Sequence, residues 1–435
     1  MLERRFVFPC LTALALLTGC VPNKIYRPGP AAIQATPVVA GSPAKFKLGI
    51  IEFDDMGESW EKCASLIQPD SCQLTRTLDL IRKEKQRTGD VVVVVFTHGW
   101  KNNASPDNEK KKNLHDFKAL MEQLAEGEDT RLERMQRYGP QIGGGRARSY
   151  IGVYMAWRGQ SVSGNVFTTF WNRRDAAARV GSSDFAEAIY RIMGATKEGS
   201  PNSRIVVVGH SFGARALETA LTNTFVSLLV PQPDAAGQVR PPLQLSPADL
   251  ILYVNSATDS FRTKQMIELM KRTSFSVTRG GGQSNGPLFL SVTSTGDSAT
   301  KIAFPLGQDL SATRKAFRPD YGPSAPPQSP SQSTFFTQTP GHIPYLRSHV
   351  VHPVTGPCVS QADLLRFTTN GQCFEMTPVP QRWNDSPFWV VTVPPQIIRD
   401  HSDIFNSSFA TMIIDLMEQY EVLDSPQATT MVRAQ

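Results

Sequence analysis

The stretch RIVVVGHSFGARAL, Arg204 to Leu217, contains the pentad Gly209-His210-Ser211-Phe212-Gly213, the Gly-x-Ser-x-Gly spacing that exposes a serine at a sharp strand-to-helix turn. Gly209 and Gly213 suit that turn because a Cβ at either position would meet the strand or the first helical turn. A serine hydroxyl is a poor nucleophile at neutral pH and needs a general base, itself oriented by an acid. The chain has seven histidines. His115 falls in a helical pattern, His210 is next to the serine and points elsewhere from the turn, and His98 belongs to a loop with a separate use. His401, in IIRDHSDIF between the last strand pattern and the last helix pattern, stands where a base should reach over the strand ends. His342 and His349 are reserve candidates.

Two aspartates follow buried strand patterns closely enough to fix the tautomer of that histidine: Asp297 after LFLSVTSTG and Asp259 after LILYVNSAT. Asp297 is preferred, because the later strand is the commoner position when the order is serine, acid, histidine; Asp259 is the alternative. A helix N-cap is the competing role for either. Acyl transfer also needs backbone N–H donors aimed at a developing oxyanion, each worth about 3 kcal/mol in the transition state. Phe212 N–H, opening its helix, is one expected donor. Trp100 N–H is the other, because Gly99 in Thr97-His98-Gly99-Trp100 lets the loop turn it inward.

These residues require a particular scaffold. Ile205 to Val208 are β-branched without polar alternation, as are most residues of VVVVVF before His98, and such runs suit strands buried on both faces of a parallel sheet. Further strand patterns are FKLGIIEF, YIGVYMAW, LILYVN, LFLSVT and FWVVTV. Helical stripes lie between them: Leu74, Leu78 and Ile81; Leu114, Phe117, Met121 and Leu124; Phe185, Ile189 and Ile192; Leu217, Leu221 and Phe225; Phe405, Phe409, Met412 and Leu416. Strand and helix alternation predicts an α/β fold, with a mostly parallel central sheet and helices on both faces. The rhythm breaks over residues 312–385, predicted to be an insertion before the last strand, either a lid over the site or surface decoration. Residues 423–435 read as a disordered tail.

At 435 residues and 40% hydrophobic, the chain can bury a large core, and its 45 basic and 39 acidic residues leave a thin excess with no basic run suited to nucleic acid. The densest basic cluster, EKKKN at residues 109–113, reads as the solvated start of a helix. Arg4 and Arg5, an apolar stretch and then small residues have the layout of a signal peptide over residues 1–19. Leu17-Thr18-Gly19-Cys20 resembles a bacterial lipobox. That resemblance implies cleavage before Cys20, lipid on its thiol and amino terminus, and residence in the cell envelope; Val21, rather than Asp, favours the outer membrane. Residues 20–45, rich in Pro and Ala, are expected to form an extended tether to a domain over 46–422. With Cys10 removed and Cys20 lipidated, Cys63, Cys72, Cys358 and Cys373 remain, and the pairings Cys63–Cys72 and Cys358–Cys373 close the shortest loops. Metal binding is disfavoured: there is no C-x-x-C, and His349 and His352 lack a third ligand at a recognisable spacing.

FTHGW, GHSFG, STGD and RDHSD occur in the order found in the α/β-hydrolase superfamily, which the chain resembles over roughly Phe46 to Val422 apart from the insertion. The resemblance implies a Ser211, Asp297, His401 triad, an acyl-enzyme on Ser211, an ester or lipid substrate, and no metal or organic cofactor. Two other readings share the residues: a lipid-anchored binding or structural protein on the same fold, and an acyltransferase using the same acyl-enzyme. Chain length of the acyl group and oligomeric state are not encoded in these motifs.

Overall fold

The computed structural model describes residues 21–35, 46–63, 72–138, 147–161, 169–200, 202–230, 248–279, 282–284, 286–317, 329–359, 364–380, 386–420 and 422. The signal segment, Cys20 and the tail 423–435 lie outside them. The first half of the chain contains β1 (Ile33–Gln34), β2 (Phe46–Phe53), α1 (Gln73–Thr88), β3 (Val91–Thr97), α2 (Pro106–Lys111), α3 (Asn113–Tyr138), β4 (Ser149–Trp157), α4 (Thr169–Val180) and α5 (Asp184–Lys197). There follow β5 (Arg204–His210), α6 (Phe212–Leu229), β6 (Leu250–Val254), α7 (Ser260–Arg272), a ribbon of β7 (Val277–Arg279) and β8 (Gly282–Ser284), and β9 (Phe289–Ser294). Last come α8 (Phe304–Ala312), α9 (Gln332–Thr337), β10 (His349–Val354), β11 (Leu365–Thr369), β12 (Gln372–Pro378), β13 (Phe388–Val393) and α10 (Ser407–Gln419).

Among the described residues eleven strands form one sheet, in the order β1-β2-β4-β3-β5-β6-β9-β13-β10-β12-β11. The strands from β2 to β10 in that order run parallel, and β1, β12 and β11 are antiparallel to their neighbours. The apolar run of β3 explains how such a sheet is covered twice. Val91, Val93 and Val95 enter one core with α1, α4, α5, α6 and α7, while Val92, Val94 and Phe96 enter a second with α3 and α10. Alternate side chains of a strand point to opposite faces, so a strand buried on both faces shows no polar alternation.

Two expectations need correction. Residues 21–35 are docked rather than extended as a free tether. Tyr26 and Arg27 N–H groups donate to the Glu52 carboxylate at 2.9 and 2.7 Å, Arg27 pairs with Glu109, Ile33 pairs with Gly49 in antiparallel register, and Ala32 is fully buried. Glu52 is buried at the end of β2, and the incoming backbone supplies donors that a desolvated carboxylate needs. The predicted insertion is in large part neither lid nor decoration: β10, β11 and β12 lengthen the central sheet, and β13 sits between β9 and β10. Asn370 and Gly371, at φ 50° and 72°, turn β11 into β12, the left-handed pair that a two-residue hairpin of this type requires. Helices α4 and α8 have no counterpart among the periodic stripes of the sequence.

Both short-loop disulfides are present, Cys63–Cys72 and Cys358–Cys373. The second ties the start of β12 to the segment leaving β10, and so fastens the added strands.

Candidate active site

Strand β5 delivers Ser211 to the turn before α6 with φ 56° and ψ −121°, a conformation disfavoured for any residue with a Cβ. Its backbone is held from several sides: Ser211 N–H donates to Val254 O at 3.1 Å, and Ser211 O accepts from Ala214 and Ala257. Close approach explains the flanking glycines. A Cβ on Gly213 would lie 2.2 Å from Thr97 O, and one on Gly99 would lie 2.7 Å from the Ser211 Cβ. Gly209 packs against the Ala214 backbone. The loop after β3 is therefore pressed directly onto the serine.

His98 secures that loop rather than reacting. Its Nδ1–H donates to Gly99 O at 2.9 Å, its Nε2 accepts from Trp157 N–H at 3.1 Å, and its carbonyl accepts from the Trp157 indole at 2.9 Å. Burial holds its pKa down at about 4, so the ring is neutral. With the loop so placed, Trp100 N–H and Phe212 N–H have no acceptor among the described residues. Both donors are free for an external oxygen.

Between β13 and α10 the chain carries His401 over the strand ends. His401 Nε2 is 2.8 Å from Ser211 Oγ and His401 Nδ1 is 2.9 Å from Asp297 Oδ2, while Asp297 is fully buried. Burial alone would raise the Asp297 pKa; the hydrogen bond and charge of His401 and two Thr300 donors outweigh it, and the carboxyl is held below its usual range. Thr300 N–H donates to Asp297 Oδ1 at 3.1 Å and Thr300 Oγ1–H to Oδ2 at 2.6 Å. Asp297 thus serves the turn after β9 as a cap while it faces His401.

Three positioning residues carried no signal in the motifs. His210 Nε2–H donates to His401 O at 2.8 Å, and Asn255 Nδ2–H donates to the same oxygen at 3.1 Å and to Asp400 O at 3.2 Å. Burial, then the neighbouring His401, lowers the His210 pKa to about 3, keeping it a neutral donor. Asn255, directly after β6, also accepts Ser294 N–H at 2.9 Å, so one amide joins two strand ends to the histidine loop. Thr300 is the third, placed three residues after Asp297 in a spacing typical of a capping side chain.

The remaining candidates lie elsewhere. His342 Nε2 is 3.0 Å from Thr300 Oγ1, so it extends the acid side of the array without meeting Ser211. A polar cavity of about 360 Å³ opens there, lined by Ser294, Thr295, Lys301, Gln338, His342 and Arg347 among others. His349 is buried on β10 against Trp389 and bonds Ser348. Asp259 does not meet His401; it pairs with Arg215 at 3.3 Å at the start of α7. Among the described residues no group of three or more His, Cys, Asp or Glu side chains could hold a metal ion.

Asp259 also acts on Glu218, a buried residue of α6. Burial first, then the charge of Asp259, raises the Glu218 pKa from 4.5 to about 7. In that interval the folded chain keeps a proton that the unfolded chain has released, so stability falls as pH rises from 4.5 to about 7. The loss is of order 3 kcal/mol across the window. Glu218→Gln is expected to flatten this dependence in thermal unfolding compared at about pH 5 and about pH 8; equal losses in both proteins would refute it.

No family model matches the chain, and no curated protein matches it. Among solved structures there is a likeness to phospholipase PlaB from Legionella pneumophila in complex with thio-NAD, with 10% identity and a TM-score of 0.30. It covers 79% of this chain and 61% of that one, so the chain spans less than two thirds of its length. A superposition this loose says nothing of activity.

Proposed function

We propose that the chain is a serine ester hydrolase of the α/β-hydrolase type. The observation that carries the reading is the unbroken array Ser211 Oγ, His401 Nε2, His401 Nδ1, Asp297 Oδ2, with links of 2.8 and 2.9 Å beside two unsatisfied backbone donors. In the reaction, Ser211 Oγ attacks the ester carbonyl while His401 Nε2 takes its proton. The carbonyl oxygen becomes negative and is met by Trp100 and Phe212 N–H. Collapse expels the alcohol, which takes the proton from His401, and leaves an acyl group on Ser211. Water then gives its proton to His401, attacks the acyl carbon, and releases the carboxylic acid as Ser211 regains its proton.

The serine is held at φ 56°, a conformation costing of order 1–3 kcal/mol, and backbone strain at a working nucleophile is a recurring feature. We further propose that Cys20 is lipidated after export and anchors the chain to the outer membrane.

A fluorophosphonate probe tests the reading. It is expected to modify the full-length protein once, on the peptide containing Ser211, and to be blocked by prior heat denaturation. Modification confined to other residues, or none on the native protein, would rule the hydrolase out. Product analysis with an added alcohol separates water from an acyl acceptor.

A further inference from the structure

The parallel strands end on one side of the molecule, and Ser211, Asp297 and His401 lie on that side, each beyond the end of its strand. The described chain begins there too. Val21 N–H donates to Ser161 O at 3.1 Å, just beyond the end of β4. From Ser161 the backbone leads to Gly159, which lies against the Gly99 carbonyl, and Gly99 packs on Ser211. At about 3.8 Å per Cα step, this path puts Val21 within roughly 20 Å of the serine hydroxyl. Residues 26, 27 and 33 are fastened to β2, so no slack lies between Val21 and the domain.

The surface of this side is suited to a bilayer. Of the six most exposed large apolar residues, Met56, Ile302, Leu306 and Val359 follow the ends of parallel strands there, whereas Leu228 and Val230 close α6 at the other end. Lys24, Lys62, Lys110, Lys111 and Lys301 are exposed on the same side, with the carboxylates of Glu58, Asp107 and Asp400 exposed between them. Lys110, Lys111 and Lys112, at the end of α2, therefore stand beside the N-terminal segment, which α2 meets through Glu109 and Arg27. A lipid chain, basic side chains and apolar residues on one side are complementary signals for an anionic membrane surface.

We propose that this side lies on the membrane that holds the Cys20 lipid, and that the ester taken by Ser211 is a lipid of that same membrane. The first half rests on the proposed lipidation of Cys20, and the second on the hydrolase reading. The short connection confines the site to its own bilayer, where substrate and enzyme share two dimensions and the effective substrate concentration is high.

The test uses the exported, lipidated full chain in vesicles of phosphatidylethanolamine and phosphatidylglycerol. A membrane-impermeant amine reagent, read by mass spectrometry, is expected to modify Lys24, Lys111 and Lys301 about tenfold more slowly in vesicles than in detergent. Lys83, on α1 toward the opposite end, is expected to react alike in both. Protection of Lys83, or equal reaction of all four lysines in vesicles and detergent, would overturn the orientation. In a second arm, a fluorogenic lipid ester is placed in the protein-bearing vesicles or in separate ones. Hydrolysis is expected to be at least about tenfold faster in the shared bilayer, and equal rates would overturn the substrate class. Failure on every ester, including a soluble one, would instead remove the hydrolase reading while the lysine pattern still decides the orientation.

Discussion

Ser211→Ala is expected to lower kcat for a short p-nitrophenyl ester by roughly 10⁴- to 10⁶-fold, the range seen when a triad nucleophile is removed. The reason is specific to the geometry. Ser211 Oγ is the group bonded to His401 Nε2, and His210, whose ring lies 5.0 Å from that of His401, spends its Nε2–H on the His401 carbonyl. Among the described residues no other hydroxyl is bonded to His401 Nε2. Residual hydrolysis should come from Trp100 and Phe212 N–H acting on a bound ester attacked by water. Folding is expected to survive, because alanine is smaller and the turn is held by Val254, Ala214 and Ala257. Ser211→Gly should be equally inactive and yet more stable, by about 1 kcal/mol, because glycine adopts a positive φ without strain. Initial rates and melting temperatures together decide the matter. Ester cleavage by Ser211→Ala within tenfold of the parent would end the nucleophile assignment.

Asp297→Asn is expected to cost about 10⁴-fold in kcat with little change in KM. As a carboxylate, Asp297 accepts the proton on His401 Nδ1 and leaves Nε2 free to receive the one from Ser211. An amide can offer its own N–H to Nδ1, which reverses the tautomer and turns Nε2 into a donor. The ring then sits in the right place with its proton on the wrong nitrogen. Thr300 makes the distinction sharper, since its N–H donates to Oδ1 and favours placing the asparagine oxygen there, which turns the amide NH2 toward His401 Nδ1. Asp259→Asn, which alters only the Arg215 pair and the setting of Glu218, is the control, expected to stay within threefold or so of the parent. Comparable losses from the two substitutions would show that the acid acts through general folding, not through His401.

Much of the site can be read along the chain because its parts obey local rules. The pentad is bracketed by a β-branched run and a helical stripe, and its glycines answer a contact with the adjoining loop that any such turn must make. His401 and Asp297 stand out by position after buried strands, and the structure brings His401 to Ser211 and Asp297 to His401. The paired cysteines are near neighbours in sequence, and loop closure favours their pairing. The Asn-Gly turn of β11 and β12 is an equally local signal, since both residues take positive φ and fix a hairpin over residues 365–378.

Other features have no local signature. Asn255 looks like any polar residue closing a strand, and its hold on His401 exists only because β6 and β9 are neighbours and the loop after β13 folds back over them. Residues 21–35 have no apolar period, since they dock through backbone donors on Glu52, and backbone donors are the same in every sequence. The strand periods and turn residues are written in side-chain identity at short range, where each residue's conformational preference acts on itself and its near neighbours. Which strand lies beside which, and hence which side chains converge on one hydroxyl, depends on sheet order and on contacts such as that of His401 with Ser211, 190 positions apart, and only the packed chain supplies those.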